Sequence, residues 1–313
     1  MGHFGREAGA ALTFLILYVA IYMWMTWAYL TKRIKWRSRY SLLFFHVTIR
    51  VASQACGVAF GVLGFANTNV FLAYLILGAE GYFTLVLCAF RFLISWHQHN
   101  LPSHESWLEP HEPNQTSADR LKRVIALIIL GPFAVILYWK HPMVIMHTLL
   151  ILANMAIIIG GSYLAGADLS DPLSHSFQQR VNVAKITRTA GQSVFLACNF
   201  LLLFTILATI RGQKKAGKRK IHPTLILLFI AWFPLIIRGI FGILQAAVWS
   251  LSYYNPDNYD ADGFTPRFVA IEYVLGVVTE WLACLLLNLT YFTSLNDPSK
   301  GEITSEEQKI QKS

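Results

Sequence analysis

Runs of about twenty or more apolar residues recur along this chain, and nothing constrains its fold more. The chain is 55% hydrophobic and 14% charged, against about 25% charged in ordinary soluble domains. A backbone surrounded by hydrocarbon must satisfy its own hydrogen bonds, which leaves helices and closed barrels. The apolar runs are continuous rather than alternating, so a β-barrel is excluded. The predicted class is all-α: a polytopic seven-transmembrane-helix bundle with one extra interfacial or re-entrant apolar segment at about 124–139.

The predicted spans are 9–30, 41–64, 70–95, 143–165, 181–210, 223–251 and 268–293. Together they make residues 1–295 one transmembrane domain, followed by a disordered cytoplasmic tail over 296–313. The first span is too long for a signal h-region, and its basic residues follow the apolar run. It reads as an uncleaved helix with its N-terminus outside or lumenal.

Charge decides whether 124–139 also spans. Five basic residues fall in 31–39, three in 96–123, six in 211–221 and three in the tail. With seven spans all of these face the cytoplasm, against Arg6, Arg180 and Arg267 outside. An eighth span would put the block around Lys214–Lys220 outside and erase the bias, so the positive-inside rule favours seven.

Several function classes drop out. The net charge of +9 comes from short blocks at helix ends, which orient a membrane protein, so no nucleic-acid partner is expected. Cys56, Cys88, Cys198 and Cys284 all lie in apolar runs, with neither a disulfide framework nor a CxxC metal spacing. His97, His99, His104 and His111 lie in or beside a Pro-rich polar loop at no standard metal spacing. Neither metal nor cofactor is expected. The partner is the bilayer of a plasma or endoplasmic-reticulum membrane, with a lipid-like or amphipathic small molecule as ligand.

The chemistry sits inside the spans. Arg50 lies near the middle of the second, and Arg50, Gln54, Gly57 and Gly61 follow at i, i+4, i+7 and i+11, on one face. A charge at mid-bilayer costs roughly 3 kcal/mol even on insertion scales, so it needs a partner. Three deep arginines (Arg50, Arg188, Arg238) match three glutamates (Glu80, Glu272, Glu280). Depth predicts two layers, Arg50 with Glu80 or Glu280, and Arg188 or Arg238 with Glu272. Each arginine also has an amide on its own face, Gln54, Gln192 and Gln245, suited to spare guanidinium donors. A weak internal repeat relates spans 2 and 3 to spans 6 and 7.

At Ile49-Arg50…Gln54, Gly78-Ala79-Glu80-Gly81, Arg188…Gln192 and Ile237-Arg238…Gln245 the chain resembles uncharacterised heptahelical integral membrane proteins of filamentous fungi. These stand near the fungal lipid-translocating-exporter family, which is linked to aminocholesterol resistance. The resemblance covers most of residues 9–293 and implies a transport role. In the exporter family the sixth span carries an arginine followed by a carboxylate; here Gln245 stands at about that place. Microbial rhodopsins require a retinal lysine in the last helix, and 268–293 contains none. The histidine motifs of adiponectin-receptor-type hydrolases are absent, since His46 and His147 stand alone.

The leading functional expectation is a transporter or translocator of a lipid-like or amphipathic molecule. Its outer-facing polar cavity would be lined by Arg188, Arg238, Glu272, Tyr253, Tyr254 and Tyr273. A seven-helix receptor, with 211–220 facing a cytoplasmic partner, is the first alternative. The other is an intramembrane cyclase-like enzyme with Glu80 or Glu280 as its acid.

Overall fold

The computed structural model describes residues 5–36, 38–101, 105–109, 142–165, 174–215, 220–260 and 263–295. The segment 124–139, the tail 296–313, His104 and His111 lie outside these residues.

Among the described residues the architecture is a seven-helix bundle, all seven helices being long and apolar enough to cross a bilayer. They are α1 (Arg6–Leu30), α2 (Tyr40–Leu63), α3 (Thr68–Asn100), α4 (Pro142–Ala165), α5 (His175–Lys215), α6 (Pro223–Ala247) and α7 (Pro266–Thr293). The chain is therefore an integral membrane protein, and its outward surface agrees. Ile16, Met23, Ile159, Ile186, Phe204 and Phe292 are all exposed, an arrangement that suits lipid and not water.

Local chemistry sets most helix ends. Asn67 caps α3 by accepting from the Asn69 amide at 3.2 Å, and Thr265 caps α7 through the Phe268 amide at 3.4 Å. Pro223 and Pro266 open α6 and α7, where a missing N–H is no loss. Four helices differ at their ends from the sequence expectation, and α3 runs on to Asn100, past the expected 95. α1 starts at Arg6, which brings Glu7 into the bundle. α5 runs well past 181–210 at both ends. α6 stops at Ala247 because Val248 is extended, and Trp249–Leu251 forms a separate 3-10 turn. Among the described residues the departures from all-α are a two-stranded antiparallel hairpin, Tyr259–Asp260 with Gly263–Phe264, and an isolated β-bridge between Ser106 and Glu109.

α3 is the hub, touching α2, α4, α5, α6 and α7. Its lower half is buried nearly all round, from Tyr82 to His97, as a helix enclosed by helices must be. Close crossings use small residues. A Cβ on Gly61 would lie 2.8 Å from the Ala8 Cα, so α1 and α2 cross there nearly backbone to backbone. A Cβ on Gly191 would lie 2.6 Å from the Ala153 carbonyl, which sets the α4–α5 crossing.

α7 is interrupted by a π turn over Glu272–Val277. In an unbroken helix Glu272 and Glu280, eight residues apart, would diverge by about 80°. A π turn absorbs about one residue, which brings the two carboxylates to within about 20° on the face turned toward α6.

Candidate functional site

Side-chain hydrogen bonds level the helices against one another. Tyr40 at the start of α2 meets Thr290 of α7 at 3.2 Å. Arg50 is ten residues above Tyr40, and Glu280 ten residues above Thr290, so guanidinium and carboxylate stand at one height. Thr224 of α6 meets Thr293 of α7 at 2.9 Å. From that level Arg238 and Glu280 rise fourteen and thirteen residues, about 20 Å each. All three charges therefore converge. Arg238 Nε donates to Glu280 Oε1 at 2.5 Å, and Arg50 Nη2 lies 2.7 Å from Glu280 Oε2. The second contact is an ion pair without hydrogen-bond alignment, since Oε2 receives no directed N–H. All three side chains are buried. Tyr18 lies under the Arg50 guanidinium at 5.9 Å and Tyr82 under Arg238 at 5.7 Å.

This corrects the two-layer expectation. Arg238 belongs to the Glu280 layer and not to that of Glu272, because α6 starts level with the end of α7. Glu272 takes a hydrogen bond from Gln245 Nε2 at 2.6 Å, so Gln245 serves a carboxylate and not its own arginine. Arg188 has no ion pair among the described residues.

Glu80 is a second correction. His46 and Thr84 meet at 2.7 Å, four residues from Arg50 and Glu80 respectively, so Glu80 is also level with Arg50. Height alone cannot exclude it; azimuth does. The neighbouring Gly81 faces the ion pair, and a Cβ there would lie 3.0 Å from Arg50 Nη1 and overlap Glu280. Arg50 Nη1 donates to the Gly78 carbonyl on the same stripe at 3.3 Å. Glu80, about 100° round, turns to α4 and accepts from Asn154 at 2.5 Å.

The remaining eight predicted residues, Arg50, Gln54, Arg188, Gln192, Arg238, Gln245, Glu272 and Glu280, line one cavity. It lies between α2, α3, α4, α5, α6 and α7, and Tyr74, Tyr253 and Tyr254 join its wall. Its volume is about 90 Å³, room for about three waters at liquid density and well below the 300–1,000 Å³ of typical ligand pockets. Tyr273 does not line it, but donates to Glu7 Oε1 at 3.1 Å. Burial pushes the Tyr254 phenol up, and the nearby Arg188 guanidinium partly offsets this. Burial, reinforced by the Glu272 carboxylate, pushes Tyr253 up further.

The wall carries unused hydrogen-bonding capacity. Arg50 Nε, Arg238 Nη1, Gln192 Oε1 and the whole Gln54 amide are buried without a partner among the described residues. A Cβ on Gly242 would meet both Gln192 Oε1 and Arg238 Nη1, so that glycine keeps the two side chains beside the cavity. Buried polar groups are normally satisfied, and a cluster of exceptions around a void marks a place for water or ligand.

Among the described residues no group of His, Cys, Asp and Glu could hold a metal. His97 instead ties Ser106 and Thr209 to α3, at 2.8 Å each. The four cysteines are free thiols, all but Cys56 buried.

Glu7, Tyr74 and Asn154 escaped the sequence reading. Asn154 was visible as a polar residue inside an apolar run. Glu7 was hidden because α1 extends beyond its hydrophobic stretch. No protein family, curated protein or solved structure matches the chain.

Proposed function

We propose that this membrane protein is a transporter or translocator of a small amphipathic molecule, whose polar group enters the cavity between α2 and α7. The supporting observation is the cavity itself. Eight polar and charged residues from four helices converge on it, and several retain unused donors and acceptors. A structural ion-pair lock needs neither the void nor the orphaned amides. At about 90 Å³ the cavity takes a head group and not a hydrocarbon tail, so passage requires the helices to part. The positive-inside count supports an N-terminus outside and a cytoplasmic C-terminus, with Arg188 and Glu272 toward the outer side.

Proteoliposomes test it. The wild-type chain is expected to speed release of octanoate or a fluorescent short-chain lipid. Gly78 lines the cavity, and a Cβ there meets nothing within 4 Å, so Gly78→Leu is expected to fold and block release. Equal release from wild type, Gly78→Leu and empty vesicles would end the proposal.

One observation favours a receptor as second reading. α5 has 41 residues, about 60 Å, twice the hydrocarbon thickness. Its last turns carry exposed Arg211, Lys214 and Lys215 on the side assigned to the cytoplasm. The enzyme reading is weaker: both Glu280 oxygens face guanidinium groups, and Glu80 is not in the cavity wall.

A further inference from the structure

A second, larger cavity of about 460 Å³ lies outward of the first. It is enclosed by the start of α5, the end of α6 and the loop 249–257, and its charged lining is Lys185, Arg188 and Asp257. Arg188 is common to both cavities. Lys185, Arg188 and Gln192 follow at i, i+3 and i+7 on α5, so they form one stripe from the outer chamber into the inner one.

Among the described residues the two chambers together carry one cation more than anions, Arg188 being shared between them. The inner wall has Arg50, Arg188 and Arg238 against Glu272 and Glu280. The outer wall has Lys185 and Arg188 against Asp257. Arg50 and Arg238 are committed to Glu280, and Glu272 takes its hydrogen bond from Gln245; Arg188, half-buried, makes no ion pair with it or with any other of the described residues. A guanidinium in such a place is matched by a carboxylate or phosphate, which it can grip with two parallel N–H bonds. The unpartnered Arg238 Nη1 lies one step further in, beside Gln192.

We infer that Arg188 is the recognition residue of an anion site joining the two chambers, and that the ligand's polar group is a carboxylate or phosphate. Lys185 gathers the anion in the outer chamber, Arg188 holds it at the junction, and Gln192 with Arg238 Nη1 receives it inside. Glu272 and Glu280 in the inner wall limit the site to a single negative group. The inference rests on the transport reading for the direction of travel, but not for binding. The anion comes either as a free amphipathic solute or as an anionic lipid head.

Binding to the purified full chain in nanodiscs separates these cases. Octanoate, octanamide and octylammonium share a chain and differ in charge. Octanoate is expected to bind at least tenfold more tightly than the other two. Arg188→Gln is expected to remove that preference, Arg188→Lys to keep part of it, and Lys185→Gln to weaken octanoate binding two- to fivefold, most at low salt. If phosphatidylglycerol in the disc, compared with phosphatidylcholine, competes octanoate away, the lipid head is the natural source. If it does not, the source is a free solute.

Thermal unfolding followed by tryptophan fluorescence reports whether each variant folds. Should Arg188→Gln fail to fold, Ser162→Glu asks the same question with Arg188 intact. Ser162 lines the inner chamber, and a tethered carboxylate there is expected to displace octanoate. Octanamide binding as tightly as octanoate, an unchanged Arg188→Gln affinity, or no binding of any of the three overturns the inference. Charge-blind release from proteoliposomes would leave transport standing and remove the anion site. Charge-selective binding without release would do the reverse.

Discussion

Arg50 on α2 and Arg238 on α6 share one carboxylate, that of Glu280 on α7, at 2.7 Å and 2.5 Å. The cluster ties together helices from both halves of the chain and leaves one net positive charge among its three members. Each of the two arginines follows an isoleucine, Ile49-Arg50 and Ile237-Arg238.

Glu280→Gln is expected to destabilise the protein by roughly 3–5 kcal/mol, since it strands two buried guanidinium groups. The triple variant Arg50→Met, Arg238→Met, Glu280→Leu removes every member of the cluster and is expected to unfold closer to wild type. Unfolding midpoints in detergent measure both. A Glu280→Gln midpoint equal to wild type would mean that the ion pairs do not hold the bundle.

Two glycines one turn apart on α3 are expected to respond oppositely to alanine. At Gly78 the added methyl enters open space, and removing a helix glycine gains up to about 1 kcal/mol. At Gly81 it strikes Glu280 and Arg50, so Gly81→Ala is expected to lower stability. Matched changes in the two midpoints would contradict the placement of the ion pair against this face.

Glu80→Gln is expected to be mild, within about 1 kcal/mol, because a glutamine oxygen can still accept from Asn154. Sequence reasoning put Glu80 on a par with Glu280; the contrast between the two glutamine variants measures how far apart they stand. Comparable losses would show that Glu80 is a member of the charge cluster.

Glu7 and Tyr273 are expected to be coupled. Their buried hydrogen bond at 3.1 Å joins the first turn of α1 to α7. Tyr273→Phe and Glu7→Met in a double-mutant cycle are expected to give an interaction energy of about 1–3 kcal/mol. Additive effects would place the pair out of contact in the folded protein.

The sequence by itself determined the class of the protein. Hydrocarbon admits only helices with satisfied backbones, so seven apolar runs wrote seven helices, with boundaries within a few residues for most. It also determined that Arg50, Arg188, Arg238 and their amides had to turn inward, because charge facing lipid is too costly, and the cavity collects them. Which charge met which was decided only by the fold. Arg50 had two glutamates at its own height, Glu80 and Glu280. The rotation of α3, which turned Gly81 and not Glu80 toward Arg50, chose between them. Arg238 was assigned to the wrong layer because the relative heights of α6 and α7 depend on how their ends pack, at Thr224 and Thr293, and not on residue counts along either helix. The π turn that swings Glu272 toward the face of Glu280 left no mark in the hydrophobic pattern. Depth and polarity are properties of one helix and can be read along the chain; pairing is a property of the angle between helices, and only their packing sets it.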